Sequence, residues 1–118
     1  MDQRQAEATQ GVEALVAEAV RRLAVGLAPQ AVVVFGSMAR GTARPDSDLD
    51  LLVVTDTLSA EGSDWTATYL RAMDLLWGIR LPIDVLLCTP AEFAKWRDTR
   101  NHVLGQVARE GKVAYGRI

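Results

Sequence analysis

Apolar residues recur at helical spacing between about Gln5 and Leu27, where Val12, Leu15, Val16, Ala19, Leu23 and Leu27 share one face. Gly26 and Pro29 mark the expected end of that helix. The pattern then changes. "AVVVF", Ala31–Phe35, is a short β-branched run that predicts a buried strand, broken by Gly36 and Ser37. A second strand is expected at "DLDLLVV", Asp48–Val54, and a third at "PIDVLLC", Pro82–Cys88. Between them, Ser63 can cap a helix from about Asp64 to Trp77, with Trp65, Tyr69, Met73, Leu76 and Trp77 turned mostly inward. "TPAE", Thr89–Glu92, reads as a capping box with Pro90 at the first helical position, and Phe93 and Trp96 can pack that helix on the sheet. "HVLGQVARE" predicts a last helix ended by Gly111, and "KVAYG" a short edge strand.

This alternation predicts an α/β domain with α+β character, a small mixed sheet of three to four strands packed with helices. The connection from Gly36 to Ser47 is short, which makes the first two strands antiparallel neighbours. The helix before the third strand allows a parallel crossover. With no repeat, low-complexity tract or linker, residues 1–118 are expected to form one domain.

Composition narrows the function. A net charge of −2 supplies no broad basic face, so direct binding of duplex nucleic acid is not expected. The single cysteine, Cys88, excludes an intrachain disulfide and suits a reducing cytoplasm, the expected location. The polar start "MDQRQAEATQ" lacks the apolar core of a signal peptide, and no segment has the length of a membrane span. Cys88 reads as a small buried hydrophobe and His102 as a helix-start surface residue. The tryptophans read as core or interface, Tyr69 and Tyr115 as packing, and Arg21 and Arg22 as a solvated face.

The candidate chemistry lies in acids at strand starts. Asp48 and Asp50 are two apart, so on a strand both side chains leave one face with α-carbons roughly 6.6 Å apart. At an effective dielectric near 20 such carboxylates repel by roughly 3 kcal/mol, which a divalent cation would remove. Mg²⁺ suits a few carboxylates, waters and phosphate oxygens, and two such ions can clamp an in-line phosphoryl displacement. Asp84, between Ile83 and Val85, joins the same cluster if the third strand lies beside the second. Otherwise it sits at an exposed strand end. Gly36 and Ser37 open a helical turn whose backbone N–H groups can face a phosphate. Arg40 can pair with a phosphate or brace an acidic neighbour, and Gly41 can end the turn at positive φ. The outline G-x-x-x-x-G from Gly36 to Gly41 is not a P-loop, because Thr42 and Ala43 stand where lysine and serine or threonine are needed.

"FGSMARGTARPDSDLDLLVV" resembles the signature of the minimal nucleotidyltransferases (MNT) of the DNA-polymerase-β-like superfamily: an apolar strand, G-S-x-A-R-G, a variable loop, then S-D-x-D-apolar. Gly36, Ser37, Ala39, Arg40, Gly41, Ser47, Asp48 and Asp50 match it, and Asp84 matches the third acid in an I-D-V strand. "TPAEF" and "EGKVAYG" are similar too, so the resemblance spans nearly the whole chain. It implies a polymerase-β-like fold and transfer of AMP from ATP, with Mg²⁺ at a two-metal site and pyrophosphate as product. It implies that Asp48, Asp50 and Asp84 hold the metals, that Asp84 helps deprotonate the acceptor, and that Gly36, Ser37, Arg40, Gly41 and Ser47 bind the nucleotide. Many MNT proteins are antitoxins of HEPN–MNT pairs, whose all-helical HEPN partner, often an RNase toxin, is adenylylated on a tyrosine in some pairs. Neutralisation of the partner by contact alone, or adenylylation of a small molecule such as an aminoglycoside, are the other readings.

Overall fold

The structure is a computed structural model and describes residues 3–44, 46–59 and 64–118. Helix α1 (Gln3–Leu27) leads into strand β1 (Ala31–Phe35) and the one-turn helix α2 (Gly36–Arg40). Strand β2 (Leu49–Val54), a 3₁₀ turn (Asp56–Ser59), helix α3 (Trp65–Leu75) and strand β3 (Ile83–Cys88) follow. Helices α4 (Pro90–Trp96) and α5 (Val103–Glu110) and strand β4 (Lys112–Gly116) complete the chain.

The four strands form one mixed sheet in the order β3-β2-β1-β4. β1 is antiparallel to β2 and β4, while β2 and β3 are parallel. A crossover through α3 makes the parallel pairing reachable, because two parallel strands cannot be joined by a tight turn. β4 takes the edge beside β1, as "KVAYG" suggested.

Side-chain alternation along the strands divides the core in two. Val32, Leu49, Leu51, Val53 and Val85 pack with Ala19, Val20 and Leu23 of α1 and Ala72 of α3. Ala31, Val33, Leu52, Val54 and Cys88 pack with Phe93 of α4 and with Leu104 and Val107 of α5. β2 is central, so its residues from Leu51 to Val54 are fully buried. That makes a near-continuous apolar run, as a strand covered on both faces requires.

Several local expectations are met. Thr89 and Glu92 form a reciprocal capping box with Pro90 in the first turn, and the Gly111 N–H closes α5 on Val107 O. Cys88 is buried, which pushes its thiol up to about 12.

Others need correction. α1 runs through Gly26, where a β-carbon would meet the Leu75 side chain of α3; Ala28, left-handed at φ 45°, marks its end. The N-cap of α3 is Asp64, which accepts from the Ala67 N–H; the expected cap, Ser63, lies outside the described residues. Trp65 and Trp77 are exposed rather than turned inward, Trp77 at 85%, while Tyr69, Met73 and Leu76 pack on the core. Arg22 is not merely solvated: it donates to Leu75 O and Trp77 O at 3.2 and 2.8 Å and ties α1 to the end of α3. His102 is half-buried, with its Nδ1 accepting from the Leu104 N–H at the start of α5 and its ring stacked on Trp96.

Candidate active site

The candidate residues meet where β1 ends and where β2 and β3 begin. The last pair in the β1–β2 register is Phe35 with Asp50, and the chain turns into α2 at Gly36. Gly36 is buried and left-handed at φ 71°, a region that favours glycine. A β-carbon there would land on Asp50 Oδ2, so the backbone of the turn lies directly against that carboxylate. Phe35 gives the first turn of α2 no side-chain cap. Gly41, left-handed at φ 74°, ends α2, and Ser37 O accepts from the N–H groups of Gly41 and Thr42.

The parallel β2–β3 register sets Asp50 beside Asp84. Neighbouring strands run about 4.8 Å apart, so two acids at one level feel each other. By alternation both belong to the sheet face covered by α4 and α5. Asp50 is half-buried and Asp84 exposed. Asp84 thus meets both descriptions the sequence offered as alternatives: it lies beside Asp50 and is exposed, because β3 is an edge strand whose second residue faces water. Asp48 is also exposed and lies just outside β2, one residue before the strand expected to begin with it.

Electrostatics ties the three acids together. Partial burial first, then the negative charges of Asp84 and Asp48, hold the Asp50 carboxyl above the usual range; Arg40 opposes them. Among the described residues, no group of three or more His, Cys, Asp or Glu side chains is already converged for metal coordination. The donors gathered here are nevertheless carboxylate oxygens alone. Cys88 sits at the far end of β3 and His102 caps α5, so the set fits a hard oxygen-seeking cation such as Mg²⁺ and offers nothing to a soft one.

Two expected nucleotide contacts have other partners. The Ser47 hydroxyl accepts from the Arg44 N–H at 2.8 Å and shapes the loop before Asp48. Arg40 Nη1 pairs with Glu110 Oε2 of α5 at 3.3 Å. Glu110 was not among the sequence candidates. It lies 70 residues from Arg40, and nothing in "VARE" marks it. A groove of about 270 Å³ between Leu27, Thr55, Thr68 and Arg71 lies at the other end of β2, away from these acids.

The family profile described as "nucleotidyltransferase domain" matches residues 14–104. The chain belongs to the nucleotidyltransferase domain family. No curated protein matches it. Solved structures that share its fold include the following two. One is a nucleotidyltransferase candidate from Sulfolobus solfataricus, 19% identical, with a TM-score of 0.67 over 99% of this chain and 91% of the other. The second is a chain of a toxin–antitoxin structure with AMP-PNP, 24% identical, with a TM-score of 0.57 over 83% of this chain and 70% of the other. The mixed sheet with helices on both faces is thus a nucleotidyltransferase fold.

Proposed function

We propose that the protein is a Mg²⁺-dependent adenylyltransferase that moves AMP from ATP to a tyrosine hydroxyl of an all-helical HEPN-type RNase toxin, and so acts as an antitoxin. The observation that carries this reading is the junction of Gly36, Asp50 and Asp84. A glycine turn presses on one carboxylate while the parallel register brings a second beside it. Membership of the nucleotidyltransferase family supports the reaction class. The toxin–antitoxin neighbour with AMP-PNP supports the partner class and the nucleotide.

In this reading Asp48, Asp50 and Asp84 would hold Mg²⁺, which supplies positive charge against the triphosphate when bound. The backbone at Gly36 and Ser37 binds the phosphates. Arg40 adds a guanidinium, and Gly41 and Ser47 shape the loop around them. The acceptor oxygen bonds to the α-phosphorus and the bond to pyrophosphate breaks. Pyrophosphate leaves, and Asp84, exposed at the edge, takes the hydroxyl proton. AMP added to the toxin places a bulky anion on it, which blocks a cationic RNA-cleaving site by charge and bulk.

Calorimetry and intact-mass spectrometry test this. The wild-type protein should bind Mg²⁺-ATP, and the Asp48→Asn/Asp50→Asn double variant should not, while remaining folded. Co-expression with the partner should add one or more AMP units to the partner's mass, lost with Asp48→Asn or Asp84→Ala. An unmodified partner in a stable, non-toxic pair would replace catalysis by neutralisation through contact.

A further inference from the structure

We propose that Glu110 is a positioning residue: it holds the Arg40 guanidinium to α5 and so keeps it off the Asp48, Asp50 and Asp84 carboxylates, leaving them available to a divalent cation. This rests on the reading of those acids as metal ligands.

The geometry is specific. α2 opens at Gly36, whose backbone lies against Asp50 Oδ2, and carries Arg40 one turn beyond it. α5 ends at Glu110, and β4 begins two residues later with Lys112 paired to Val34 of β1. Glu110 therefore stands at the same end of the sheet as Gly36 and Asp50. Its Oε2 accepts from Arg40 Nη1 and from Gln106 Nε2, each at 3.3 Å, so Gln106, one turn back, fixes the carboxylate that receives the arginine. Both partners of the ion pair are about two-fifths exposed, Arg40 at 43% and Glu110 at 38%. An ion pair this wet stabilises a fold little, so its consequence lies in where it holds the guanidinium. Arg40 has a competing destination. Asp50 lies beside Asp84 with Asp48 two residues before it, so this end of the sheet gathers three carboxylates against the one of Glu110, and a guanidinium that reached them would act as an internal counter-ion in place of a metal.

Mn²⁺ binding to the metal-free protein, followed by calorimetry at low salt, separates the outcomes. Glu110→Gln keeps the side-chain shape and should bind Mn²⁺ about two- to fivefold more weakly than wild type. In the Arg40→Gln background the same change should make no difference, because no guanidinium is left to move. Equal affinity of Glu110→Gln and wild type would overturn the proposal. So would an equal loss in the Arg40→Gln background, which is what the through-space charge of Glu110 alone would give. Urea unfolding of each variant without metal reports any loosening of α5, an effect that removal of Arg40 would not cancel. A wild-type protein that binds no Mn²⁺ would overturn the metal reading of the three acids itself, and this proposal with it.

Discussion

Gly36 and Asp50 are packed so closely that a single methyl group on Gly36 would occupy the place of Asp50 Oδ2. The backbone there is also left-handed, at φ 71°. Gly36→Ala therefore meets two penalties, strain in the turn and displacement of the carboxylate. A loss of about 1–3 kcal/mol is expected in chemical denaturation. Mg²⁺-ATP binding should fall further than the stability loss explains, as calorimetry on the folded fraction would reveal.

Asp50 makes the stability of the metal-free protein depend on pH in a definite direction. Its folded carboxyl titrates above the ordinary 3.8, so the folded state holds that proton more tightly than the unfolded chain. The resulting destabilisation is absent below the unfolded value, grows as pH rises, and is complete above the folded one. Asp50→Asn should raise the urea midpoint at pH 7, with the gain vanishing toward pH 3. Glu18 works in the opposite sense. Its hydrogen bonds from Arg21 and Arg22 hold its carboxyl down to about 2, so its contribution is present above 4.5 and lost as pH falls toward 2.

Arg22→Ala removes the two donations to the carbonyls of Leu75 and Trp77. Those carbonyls lie at the C-terminal end of α3, where helical partners run out. The expected cost is about 1–2 kcal/mol, with faster amide exchange localised to the last turn of α3.

His102→Ala deletes both the N-cap of α5 and the ring stacked on Trp96 at a centroid distance of 4.5 Å. Loss of the cap is expected to cost about 1 kcal/mol. Trp96 should change its fluorescence in the folded state, and Trp65 and Trp77 should not.

The strands were legible because β-branched runs such as Ala31–Phe35 fit only a buried sheet, and because the short loop to β2 and the helix before β3 left few topologies. The capping box at Thr89 and Glu92 was equally plain, since both partners lie within one turn. Tryptophan exposure was not legible. Trp65 and Trp77 sit at positions that helical periodicity assigns to the core, yet Trp65 is at the exposed start of α3 and Trp77 lies beyond its end. Gly26 carried the signal of a helix stop and instead admits Leu75. In the candidate site, the Asp50–Asp84 neighbourhood was legible only on the condition that β3 lies beside β2, which the sequence left open and the parallel pairing meets. The Arg40–Glu110 pair depends on how α5 lies against α2, which no local pattern records.

The strand order has a consequence for how the chain could be divided. The central hairpin, β1 and β2, comes from the first half of the chain, and both flanking strands, β3 and β4, come from the second. The second half thus grips the first from both edges like a pair of jaws. A cut between the 3₁₀ turn and α3 would leave Gly36, Asp48 and Asp50 on one fragment and Asp84 and Glu110 on the other. The first fragment loses α4 and α5 from one face of β1 and β2, and the second loses the hairpin that both β3 and β4 pair with, so neither alone should hold the sheet, which circular dichroism would show. Mixed together, they should recover the sheet and, with it, the complete acid set, which makes this small domain a natural candidate for a split reporter.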